Sequence, residues 1–96
     1  MNATRYGMIE IHSGLVWGVE DAPTALHAVR QMDVKMNEND REYTEHGPAS
    51  RADRSGQMGY RVYAVPQGFD PAAGEYEAVE AYPLVSIVLW RHLEAE

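Results

Sequence analysis

Four histidines, His12, His27, His46 and His92, are the residues of this 96-residue chain best suited to acid–base or metal chemistry, and none is two, three or four positions from another. No local zinc pair on a helix or strand is therefore present. A site built from them has to be assembled across the fold. The set with the right chemistry is Glu10, His12 and His92. Brought together, they could act as a general acid–base pair or as a two-histidine, one-carboxylate metal site, with Arg61 or Arg91 as further polar groups. Asp33 falls near the edge of an apolar helical stripe, within reach of Arg30 one turn earlier, and reads as a rim carboxylate paired with that arginine and reaching water.

Other motifs fail on position. A calcium loop begun at Asn37 puts Arg41 at the third ligand position, Glu42 at the obligatory glycine and Pro48 at the twelfth position. Gly56 and Gly59 lack the lysine and the helix of a phosphate cradle, and no serine sits in a Gly-x-Ser-x-Gly context. Cysteine is absent, which excludes disulfides and cysteine-ligated metals. The expectation is a protein without a cofactor or bound metal that is not an enzyme.

Charge is the stronger signal. The chain carries a formal net charge of −7, and the excess is uneven. Up to Arg61 there are nine acids and seven bases; from Val62 onward there are six acids and one base, Arg91. Asp70, Glu75, Glu77 and Glu80, interleaved with Tyr76 and Tyr82, offer carboxylates and amphipathic rings suited to an arginine- and lysine-rich partner surface. The same acids also serve a solvated helix face, through the helix dipole and solubility. The functional expectation is a small acidic protein-binding module. Its concrete form is a phage or mobile-element inhibitor, anti-CRISPR-like, that occupies a basic, nucleic-acid-binding site on a host complex. The alternatives are a small enzyme or ligand-binding domain using Glu10, His12 and His92, and a structural homodimer in which an exposed sheet edge pairs with its copy. Direct binding to nucleic acid or anionic membrane is disfavoured by the charge. The Met1 to Gly7 stretch lacks the pattern of a signal peptide and no run is long enough to span a bilayer, so a cytoplasmic location is expected.

The elements that position these residues can be read from periodicity. Arg5 to His12 and Leu15 to Glu20 form a hairpin around His12-Ser13-Gly14, with Gly14 left-handed. The favoured register sets Ile11 against Leu15, Ile9 against Trp17 and Gly7 against Val19, so that five large apolar residues share one face. It leaves Met8, Glu10, Val16 and Gly18 on the other. The main helix is expected from Asp21, as N-cap, to about Asn37, with Pro23 in its first turn and Ala22, Ala25, Leu26, Val29, Met32 and Met36 on one stripe. Residues 38 to 59 read as a polar loop, with Arg41 to Glu45 as an optional short edge strand. Tyr60 to Val65 is a third strand. Asp70-Pro71 opens a short helix that runs to about Ala81. Leu84 to Leu93 is the most continuously apolar run, and reads as a central strand covered on both faces. Together these give a single α+β domain over residues 1–96, with an antiparallel sheet of about four strands, ββαβαβ along the chain, and one main helix packed on one face.

Overall fold

The computed structural model describes residues 3–12, 14, 16–39, 41–46, 58–69 and 79–94. Four strands, β1 (Thr4–Glu10), β2 (Val16–Ala22), β3 (Gly59–Val65) and β4 (Leu84–Leu89), form one antiparallel sheet in the order β2-β1-β3-β4. The helices are α1 (Ala25–Asn39), α2 (Arg41–His46) and α3 (Trp90–Glu94), and Val79 and Glu80 are helical. The α+β class, the four antiparallel strands and the single main helix are as the periodicity predicts. No helix among the described residues is long and apolar enough to cross a membrane.

Strand alternation sends Met8, Tyr60, Val62 and Val88 toward α1, where they meet Ala28, Val29 and Met32 from the helix. Complete burial of Val29 and Met32 contributes roughly 1.5–3 kcal/mol for each side chain. The opposite face gathers Ile9, Tyr63 and Val65 under Val79, with Val16, Val19, Phe69 and Tyr82 at its margin.

The hairpin keeps part of the expected register. Gly7 does pair with Val19, and Gly14 is left-handed at φ 73°. Between Met8 and Ile9 a β-bulge intervenes, so Ile9 pairs with Val16 and not with Trp17. A bulge sets two residues of one strand against one of the other and re-aims the extra side chain. Trp17 accordingly packs with the α1-side core, while Val16 and Val19 stay on the opposite face. Helix α1 also begins later than Asp21. That residue belongs to β2, where its carboxylate takes a 2.9 Å hydrogen bond from Arg5. Thr24 is the cap instead: its Oγ1 accepts from the His27 amide at 3.2 Å and its carbonyl accepts from the Ala28 amide at 3.0 Å.

Arg41 to His46 is a helix where a loop or edge strand was expected, with Arg41 and Glu45 paired one turn apart at 2.8 Å. The remainder of the expected loop, 47–57, and most of the expected helix opened by Asp70 lie outside the described residues, as do Ser13 and Leu15 of the hairpin turn. The largest correction concerns the apolar run. It is not a central strand: β1 and β3 occupy the middle of the sheet, β4 is its edge, and the chain turns helical at Trp90.

Candidate functional site

The polar set splits by burial. Glu10 ends β1 opposite Tyr60, shares the α1 side with Met8, and is wholly buried. His12, just beyond it, is exposed, and so is His92. All three belong to one end of the sheet, because Glu10 is level with Tyr60 and Tyr60 with Val88, just before α3. Sharing an end does not make them a site. Among the described residues no three histidine, aspartate or glutamate side chains come together as a group able to hold a metal ion. His92 instead caps its own helix, its Nδ1 accepting a 3.1 Å hydrogen bond from the Leu89 amide at the start of α3. A backbone N–H can only donate, so Nδ1 carries no proton there.

Three acids of the N-terminal part are engaged by bases. Arg5 holds Asp21 at 2.9 Å, Lys35 holds Glu20 at 2.7 Å, and Arg41 holds Glu45 at 2.8 Å. Glu20 also accepts from Gln31 at 3.3 Å, which pins β2 to α1. Of the six residues singled out for an acidic partner surface, Glu80 and Tyr82 are described. Glu80 is exposed. Tyr82 is half-buried, its ring edge-on to Phe69 at 5.3 Å and 78°, so that it serves the margin of the core with only part of its surface open. Asp70, Glu75, Tyr76 and Glu77 lie outside the described residues.

Sequence reasoning missed the surface along β4. Leu84, Val85 and Ile87 are each about half exposed, at 49%, 50% and 50%. Only Val88 of this strand is fully buried, under α1. The C-terminal end of β4 leads into a groove of about 260 Å³ lined by Arg30, Asp33, Val34, Trp90 and Leu93. Asp33 and Arg30 thus both line a groove between α1 and α3. One signal for it was legible: Val34 lies roughly 140° around the helix from Val29, off the packed stripe, and is 55% exposed. The edge position of β4 had no such signal, since an apolar run looks alike whether the fold or a partner covers it.

No protein-family model matches the chain, and no significant similarity is found to curated proteins or to solved structures.

Proposed function

We propose that this protein is a binding module for a protein with a basic surface. The observation that carries the reading is the fate of the charges. Three of the five described bases up to Arg61, Arg5, Lys35 and Arg41, pair with neighbouring acids, whereas from Val62 onward six acids share the chain with one base, Arg91. A surface of one sign steers and selects a partner of the other. The interaction residues are Asp70, Glu75, Tyr76, Glu77, Glu80 and Tyr82. The concrete form is an inhibitor carried by a phage or other mobile element that occupies the nucleic-acid-binding site of a host complex. The excess of carboxylates, which compete with phosphates for the same arginines and lysines, supports this form.

The test is affinity capture from host lysate with the tagged wild type and with Glu75→Gln/Glu77→Gln/Glu80→Gln side by side. The expected result is a basic, nucleic-acid-binding protein retained by the wild type, released by added nucleic acid, and lost from the triple variant. Equal capture by both baits would move the interface away from these acids.

A further inference from the structure

We propose that His92 is an acid-sensitive latch: its neutral ring fastens the first turn of α3 to the end of β4, and protonation releases that turn and opens the groove between α1 and α3. The latch uses none of the acids assigned to the partner surface, so it is independent of the basic-partner reading.

Helices α1 and α3 each carry a histidine at the third helical position, where a capping box ordinarily has glutamate or glutamine reaching back to the residue before the helix. On α1 it is His27, three residues after Thr24; on α3 it is His92, three residues after Leu89. The two contacts respond oppositely to a proton. Thr24 Oγ1 lies 3.0 Å from His27 Nδ1, and a hydroxyl can donate to a neutral ring or accept from a charged one. That contact survives in acid. The Leu89 amide, 3.1 Å from His92 Nδ1, is a donor only, and imidazolium carries a proton on both nitrogens. Two donors then face each other, and the bond is lost.

Helix α3 is short enough for one cap to matter. It has five residues, far below the roughly 12 to 15 at which a helix is even marginal on its own. The Trp90 amide donates to the Met58 carbonyl without the ring, so release begins after Trp90, and the side chain it frees is Leu93, half-buried against the α1-side core. Leu93 and Trp90 line the groove with Arg30, Asp33 and Val34, so freeing Leu93 removes part of one wall. Among the described residues, the charged and titratable groups around the latch are Arg91 and Glu94 on α3, Arg30 and Asp33 on α1, and Tyr60, Arg61 and Tyr63 on β3, with Glu10 buried at the end of β1; β4 has none. Carboxylates, phenols and guanidiniums ordinarily keep their charge state between about pH 5 and about pH 8, where imidazole ordinarily changes its own. The latch is therefore closed at the alkaline end of this range and opens as pH falls through it.

Nuclear magnetic resonance of the isotope-labelled full chain, titrated from about pH 8 to about pH 5, tests this. At the alkaline end the His92 ring should show an unprotonated Nδ1. As the ring gains its proton, the Cα shifts of Trp90 to Leu93 should move toward random-coil values, and the exchange protection of the Leu89 amide should fall at least about threefold. Both changes should follow the titration of His92 and not that of His12 or His27, while the amide signals of β1 and β3 stay in place. His92→Gln, which offers an acceptor at every pH, should keep α3 formed across the range. His92→Ala should leave α3 loosened at both ends of it. Helical α3 shifts that persist through the His92 titration would overturn the latch, as would a glutamine variant that loosens at the same pH as wild type or an alanine variant that stays helical. Loss of the β1 and β3 signals together with those of α3 would overturn it too, because the whole chain would then be unfolding.

Discussion

Single glycines show how closely the layers of this protein approach. A Cβ at Gly18 would lie 2.8 Å from Met32 Cγ and 2.9 Å from its Sδ, so the missing side chain is what allows α1 to rest on β2. A Cβ at Gly59 would meet the Val88 carbonyl oxygen and come within 2.6 Å of Leu89 Cα, which is backbone of the neighbouring strand. A thioether can swing aside and a strand backbone cannot. Gly18→Ala should therefore cost about 1 kcal/mol and Gly59→Ala about 3 kcal/mol, measured by urea unfolding of the two variants against wild type. Equal losses would mean that α1 is held as rigidly as the strand. At this scale the sequence was legible where chemistry is local. Gly14 as the left-handed turn residue and Gly7 opposite Val19 followed from turn rules, but the bulge that sends Trp17 to the α1 side did not. Nothing in the types of Val16 and Trp17 distinguishes them as bulge partners; α1, distant in sequence, offers the side chain a place.

Among the elements, competition between neighbours decided the boundaries. Asp21 and Thr24 are both good helix caps, and Asp21 is claimed by Arg5 across the hairpin, which leaves Thr24 to start α1. Thr24→Ala should destabilise the protein by about 1 kcal/mol, whereas Asp21→Asn, which keeps a partner for Arg5 at an exposed site, should cost under about 0.5 kcal/mol in the same thermal or urea melts. The reverse order would restore Asp21 as the cap. The stripe of α1 was readable because Ala25, Leu26, Val29, Met32 and Met36 repeat at helical spacing, and they all meet the core. Strand β4 was readable as a strand and misread as central. Its apolar continuity reports a preference for being covered, and the fold covers chiefly Val88. The candidate site divided in the same way: Glu10, His12 and His92 share a sheet end, yet Glu10 on β1 is buried while His12, in the turn beyond β1, and His92, on α3, are exposed.

For the whole molecule, the proposed function rests on the uneven distribution of charge along the chain. On the proposed function, the acidic excess of the C-terminal third would act over a Debye length on a partner of opposite sign. The proposed function rests on electrostatic attraction to a basic partner. Its most direct test is the Kd of the captured complex at about 0.05 M and about 0.5 M salt, for the wild type and for Glu75→Gln/Glu77→Gln/Glu80→Gln. Wild-type affinity should fall at least about tenfold across that range, and the triple variant should bind weakly at low salt with a much flatter dependence. A wild-type affinity that does not change with salt, or a triple variant that matches it at both concentrations, would contradict the claim.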